Sequence, residues 1–498
     1  MSTTLQHRFA LLAAGTALAC TGPLLTAPTA HAAPPTTPCA TGTPVPGDHD
    51  GDGRPDLVVK VWNNAVDESV LFVSPDRTTH GTWLDVEGSE LQSADLNGDT
   101  CADAIVVEPQ RSITLVLGTP SGLDTATGRQ LTLPQSAGLG LFDRVLFKTV
   151  GFHHDGVAQV VVAGHTWVDA DRVHRDPFVD VFTLDPTGAP GTPQVIDARS
   201  FASGAQGLSS WPTAIAADST TLVIGNGGDT VSGKSGAGRV HVFTPDGADP
   251  TRLVHRAAIS QASAGVAGSP QKADWFGGAV ALRDGRLAIG AQGESIGKAT
   301  ATGRVQLMRW NATKAAFTAV KAIDQGTKGV PGTNERKDRF GSVLTIARGL
   351  TAAGSYDVVV GTPNETVGNA RYAGSVTIGS FTKATYRTYT QNTKGVPDKV
   401  EKAPSEASAY GEYFGWAVGV LATSPTTDTL AIGAPGETNG RCLSQGYVVL
   451  TDGTKLGSST KWTYLAPPTT GCSIYDEDVF DGWGAGFGVG SPTLAELP

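Results

Sequence analysis

The chain has little of what most recognisable functions need. Its 498 residues include two Met and five Cys, only 17% are charged, and Lys and Arg never form a block. Long amphipathic helices, which draw heavily on charged residues, are therefore not expected. The balance of 37 Lys+Arg against 47 Asp+Glu gives a formal charge of −10, which argues against nucleic acid or an anionic membrane surface as a partner. After the N-terminal segment no apolar run approaches the length of a bilayer span. Neither Gly-x-Ser-x-Gly nor His-Glu-x-x-His occurs, so the linear signatures of α/β-hydrolases and zinc proteases are missing.

What is abundant points to strands and turns. The chain holds 63 Gly and 30 Pro, and Val, Thr and Ala are frequent, the composition of an all-β chain of short strands. Residues 1–32 read as an export signal, with a weakly basic "MSTTLQHR", an apolar "FALLAAGTALAC" and small residues ending in "AHA"; cleavage is expected after Ala32. The mature protein is then secreted and extracellular. A Pro/Thr-rich lead spans 33–46, and 47–498 reads as a single repetitive domain. Loss of the signal leaves Cys39, Cys101, Cys442 and Cys472, an even number in an oxidising compartment. Proximity in sequence favours Cys39 with Cys101 and Cys442 with Cys472.

The repeat is clearest in the last four units. "WPTAIAADSTTLVIGNGGDT" begins at Trp211, "FGGAVALRDGRLAIGAQGE" at Phe276, "FGSVLTIARGLTAAGSYDVVVGTPNE" at Phe340 and "FGWAVGVLATSPTTDTLAIGAPGE" at Phe414. Each offers strand-like runs separated by turn residues. Three earlier units keep the frame with different loops: "DHDGDGRPDLVV", "DLNGDTCADAIVVEP" and "GFHHDGVAQVVVAG". Seven units of four short strands predict a seven-bladed β-propeller, in which neighbouring blades cover one another's faces. The terminal "GWGAGFGVGS", 482–491, repeats the first-strand pattern with no unit after it; it either completes the first blade or begins an eighth.

Phe-Gly at 276/277, 340/341 and 414/415, "GAPGE" at 433–437 and its partial forms at 290–294 and 361–365, together with the Asp loops at 48 and 95, resemble the FG-GAP repeat of integrin α-subunit propellers and their bacterial relatives. The resemblance runs from about 45 to 490. It implies a seven-bladed propeller, calcium in the Asp loops between the first two strands of a blade, and ligand recognition on the opposite face. Physical reasoning supports the same positions. An aromatic opening an inner strand can wedge between blades, and the following Gly lets a neighbouring backbone approach. Glu294, Glu365 and Glu437, after the turns, are expected to be exposed.

Two loops carry the metal signal. Asp48, Asp50, Asp52 and Asp56, with the carbonyl of Arg54, set alternating oxygens around one point, as a hard cation of high coordination number requires; Gly51 and Gly53 permit the turn. Position twelve is Val59 rather than Glu, so this is not an EF-hand. The second loop offers Asp95, Asn97, Asp99 and Asp103 with the carbonyl of Cys101. Thr100 stands where the first loop has Gly, and one charge is lost to Asn97, so weaker Ca2+ binding is expected. The third unit keeps Asp155 but aligns Gly151, His153 and Gln159 with carboxylates of the first; calcium is not expected there.

"GDTVSGKS", 228–235, fits the P-loop pattern, but a strand-like "GRVHVF" follows in place of the helix that phosphate binding needs. The segments before the Phe-Gly pairs each carry an acid, Asp274, Asp338 or Glu412. They are read either as structural turns or as a rim of acids around the channel. The functional expectation is a monomeric, calcium-stabilised, non-catalytic binding or adhesion module for an extracellular glycan or protein. The alternative is a secreted polysaccharide- or ester-cleaving enzyme on the same scaffold, for which the sequence nominates no catalytic residue.

Overall fold

Runs such as Leu287-Ala288-Ile289 and Val358-Val359-Val360 are buried at every position, the mark of strands covered on both faces. The computed structural model describes residues 39, 45–63, 68–78, 81–87, 90–107, 113–133, 144–154, 156–167, 175–196, 210, 212–396, 399–400, 411–437, 446–452, 462–465 and 481–487. The export segment, Asp155, Trp211, Cys442 and Cys472 lie outside them. Among the described residues no helix is long and apolar enough to cross a membrane.

The strands form four-stranded antiparallel sheets, and the fold is a β-propeller built from such blades. Six blades each use four consecutive strands: 90–131 (B), 144–196 (C), 214–259 (D), 276–323 (E), 343–389 (F) and 417–465 (G). The remaining sheet, A, is composite. Its strands Leu57–Asn63, Glu68–Ser74 and Thr82–Glu87 are joined by Asp481–Phe487, which pairs with Leu57–Asn63. The expectation of seven like units is corrected accordingly to six self-contained blades. The physical reason is that the first unit opens on its Asp loop with no inner strand ahead of it, and the terminal "GWGAGF" segment supplies that strand.

The cores lie between sheets. Val58 packs with Val106 between A and B, Ile105 with Val160 between B and C, and Phe152 with Leu222 between C and D. Val240 meets Phe276, Val305 meets Phe340 and Val376 meets Phe414 across the next three boundaries, and Leu57 with Val448 returns G to A. At about 1.5–3 kcal/mol per large side chain, this burial holds each sheet to its neighbours.

The Phe-Gly pairs act as the sequence predicts. Phe276, Phe340 and Phe414 are at most 1% exposed, and their N–H groups donate across the boundary to the carbonyls of Ala237, Thr302 and Ala373 at 3.1, 2.7 and 3.0 Å. Gly277, Gly341 and Gly415 have φ of 89°, 89° and 85°. A Cβ on Gly277 would lie 2.5 Å from the Arg239 carbonyl oxygen, so only Gly permits this approach.

Candidate calcium loops and the opposite face

The loop of residues 95–102 joins Glu90–Ala94 to Asp103–Val107, the first two strands of B; the loop of 48–56 leads into Leu57–Asn63, the second position of A. The two are built alike. The N–H of Arg54 donates to Asp52 Oδ1 at 2.7 Å, and that of Cys101 to Asp99 Oδ1 at 2.9 Å. The N–H of His49 donates to Asp56 Oδ2 at 2.8 Å, and that of Leu96 to Asp103 Oδ2 at 2.7 Å. Asp48 accepts from the N–H groups of Asp52 and Gly53, and Asp95 from those of Gly98 and Thr100. Thr100 has φ of 79°, in the region a β-branched residue avoids.

They differ in what remains free for a cation. In the first loop Asp48, Asp50 and Asp56 bring carboxylate oxygens within 4.8 Å of one another. Asp56 is 1% exposed, and its Oδ1 has no hydrogen-bond partner, a costly state for a buried carboxylate unless a cation faces it. Burial, together with the charges of Asp56 and Asp52, raises the Asp48 carboxyl above its ordinary range, and Asp50 is raised for similar reasons. Asp52 lies outside this trio and caps the Arg54 N–H, so four acids in sequence become three converging acids and one backbone-capping acid. This donor set fits Ca2+.

In the second loop both Asp103 oxygens are engaged, by Leu96 and by the Gly118 N–H at 2.8 Å, and burial pushes this carboxyl up to about 8. Asn97 turns its amide nitrogen toward Asp99 Oδ2 at 2.9 Å. Asp99 also lies with Cys39 and Cys101, but the Cys39–Cys101 disulfide removes both thiols as ligands. The side chains of Asp95, Asn97, Asp99 and Asp103 thus all already accept hydrogen bonds from backbone N–H groups. At the third unit His153 is exposed and His154 is buried against Gln159 Oε1 at 3.2 Å, so the adjacent histidines point apart.

One constellation was hidden in "DHDGDG". His49 is fully buried, with Nδ1 at 3.2 Å from Asp56 Oδ2 and Nε2 at 3.1 Å from Ser93 Oγ. The spacing is that of a nucleophile, base and orienting acid. His49 also follows the first acid of its loop just as the core residue Leu96 follows Asp95. Its burial therefore has a structural cause as well.

The P-loop-like segment is a blade loop. Val231 and Lys234 form a small bridge, repeated at Ile296/Ala299 and Val367/Ala370, and the strand Arg239–Pro245 follows. The glutamates depart from expectation. Glu294 and Glu437 are 3% and 0% exposed and Glu365 is half-buried. Each accepts from the amide of a Gln that opens the preceding connection: Gln261 to Glu294 at 2.6 Å, Gln325 to Glu365 at 2.5 Å, and Gln391 to Glu437. Asp274, Asp338 and Glu412 are also buried. Asp274 and Asp338 accept from the N–H groups of Gln271 and Glu335 at 2.6 and 2.7 Å, and burial pushes both carboxyls up to about 6. These connections are structural turns, not a rim of free acids.

At the same end of the blades, the residue before each Phe-Gly pair is Trp275, Arg339 or Tyr413, with φ of 56°, 58° and 54°. Such left-handed non-Gly residues are uncommon and strained. Tyr413 lies 5.8 Å from Tyr372 and 5.2 Å from Trp416 between ring centroids. Tyr372 is 37% exposed. The sequence hides this cluster because blades F and G contribute to it from positions about forty residues apart.

No family model matches the chain, and no curated protein matches it. Among solved structures it is similar to Saccharomyces cerevisiae Sqt1, at 8% identity and a TM-score of 0.33 over 67% of each chain. It is also similar to a subtype N11 neuraminidase-like protein of A/flat-faced bat/Peru, at 9% identity and a TM-score of 0.32 over 65% of this chain and 76% of that one. Values this low decide nothing about activity.

Proposed function

We propose that the protein is a secreted, calcium-stabilised FG-GAP propeller that acts as a monomeric, non-catalytic binding or adhesion module for an extracellular glycan or protein. The observation that carries the binding reading is the set of strained, partly exposed Trp275, Arg339 and Tyr413 at equivalent positions of three successive blades. Strain repeated at one end of a scaffold, away from the core, suits a surface held ready for a ligand. Calcium in this reading bridges Asp48, Asp50 and Asp56 at the other end and acts on stability. The test is an array of glycans and extracellular proteins probed with the purified chain beside a turnover screen on polysaccharides and esters. Saturable binding without turnover supports the module.

Ester cleavage is the second reading, and the Ser93–His49–Asp56 spacing favours it. In that case Ser93 Oγ attacks the acyl carbon, His49 Nε2 takes the hydroxyl proton and returns it to the leaving alcohol, and water releases the acyl group. A fluorophosphonate probe decides the matter. An adduct on Ser93, with turnover lost in Ser93→Ala, establishes the esterase; an unlabelled Ser93 leaves His49 as a core residue.

A further inference from the structure

The half-buried guanidinium of Arg339 is the least explained charge on the face opposite the Asp loops. Among the described residues it makes no ion pair and no side-chain hydrogen bond, and Tyr372 is the one titratable group that acts on it. Burial lowers its pKa, which means that the site already bears a desolvation cost that an anion would offset. Arg304 and Arg239, which open the third strands of blades E and D, are each paired with an acid, Glu294 and Asp229. Arg339 sits at a different position, just before a Phe-Gly pair, and has no such acid among the described residues.

Its surroundings specify the anion further. Although the chain as a whole is acidic, the connection leading to Arg339 exposes Lys328, Arg336 and Lys337 against one exposed acid, Glu335, because Asp338 is buried. Lys394 is exposed on the next connection. Beside this basic rim, Tyr372, Tyr413 and Trp416 form a chain of rings with one well-exposed member. A flat aromatic surface offers a stacking platform for the face of a sugar ring, and a planar guanidinium is matched to a carboxylate.

We infer that this face binds an acidic polysaccharide, with a uronate carboxylate on Arg339 and its pyranose ring against Tyr372. The inference rests on the binding-module reading and names its ligand class. The fixed geometry of the carboxylate contact makes Lys a poor substitute for Arg339, and the surrounding lysines add a salt-sensitive attraction along the chain.

The experiment is isothermal titration of the full chain with galacturonate oligomers and with the same oligomers after methyl esterification, in calcium-containing buffer. Expected results are at least tenfold weaker binding of the ester and at least tenfold weaker binding of the acid by Arg339→Ala. Arg339→Lys and Tyr372→Ala should each lose several-fold, with melting curves checked for every variant. The ester comparison needs no variant and stands even if Arg339→Ala misfolds. Equal affinity for acid and ester overturns the inference. Binding of neutral glycans or proteins on the array with no uronate binding overturns it while leaving the module intact; turnover without binding overturns both.

Discussion

Gln261 Nε2 donates to Glu294 Oε2 at 2.6 Å across a blade boundary, from the connection leaving blade D to a glutamate in blade E. Arg304 Nη1 reaches the other oxygen of the same carboxylate at 2.9 Å. Glu294 therefore anchors an incoming connection and a guanidinium at once, both in a largely dry site. Glu294→Ala leaves both donors without their acceptor and should cost about 3 kcal/mol in urea unfolding. Glu294→Gln keeps an acceptor oxygen and should cost clearly less. Equal losses for the two would show that the amide–carboxylate geometry has no role.

The Phe-Gly boundary gives a steric prediction. Gly341 has φ of 89°, and a Cβ there would stand 2.7 Å from Val305 Cγ2. Gly341→Ala combines the left-handed penalty with a clash between blades, so a loss of at least about 2 kcal/mol is expected. Gly354 also has positive φ but nothing within 4 Å of the added atom, so Gly354→Ala should lose only the conformational part, about 1 kcal/mol.

Blade F lacks the cation of blade E, because Ser375 pairs with Thr362 where Arg304 pairs with Ala291. Among the described residues Glu365 has only the Gln325 amide, and burial followed by the Asp338 charge pushes its carboxyl from 4.5 up to about 8. Between those values the folded chain holds a proton that the unfolded chain has released, so this group's contribution to stability declines as pH rises through the window and stays lost above it. Glu365→Gln mimics the protonated form. It should match the wild type near pH 4 and melt higher above pH 8; a wild type that remains the more stable at pH 9 contradicts this.

The Cys39–Cys101 disulfide spans 62 residues. The Cys39 N–H donates to the Asp99 carbonyl at 3.1 Å, and the Cys39 backbone lies against Gly51, so the bond ties the N-terminal segment to both Asp loops. Cys101→Ser should cost about 2–4 kcal/mol in chemical unfolding and weaken calcium binding. Full calcium affinity in the variant would mean that the first loop holds its shape alone.

What could be read from the sequence is what the backbone imposes locally. Phe-Gly pairs, turn glycines and the alternating acids carry their reason within a few residues. The Phe276 wedge, the φ of Gly277 and the converging Asp48 and Asp50 follow from them. Features made by contact between blades were not legible. Glu294, Glu365 and Glu437 look like solvated loop charges until a Gln from the preceding connection is laid on each. His49 looks like a spacer until its ring is found between Asp56 and Ser93. Arg339 and Tyr372 are thirty-three residues apart and meet only because the entry to blade F and the loop between its second and third strands lie at the same end of the sheet.

The central claim is that the first Asp loop is a calcium clamp on the fold. It is tested most directly by melting the full chain in calcium and in chelator, for wild type and Asp56→Asn. The account predicts a calcium-dependent rise on the order of 2–5 °C in the wild type that is lost in the variant. Wild-type melting unchanged by calcium, with no heat of calcium binding on titration, would contradict it.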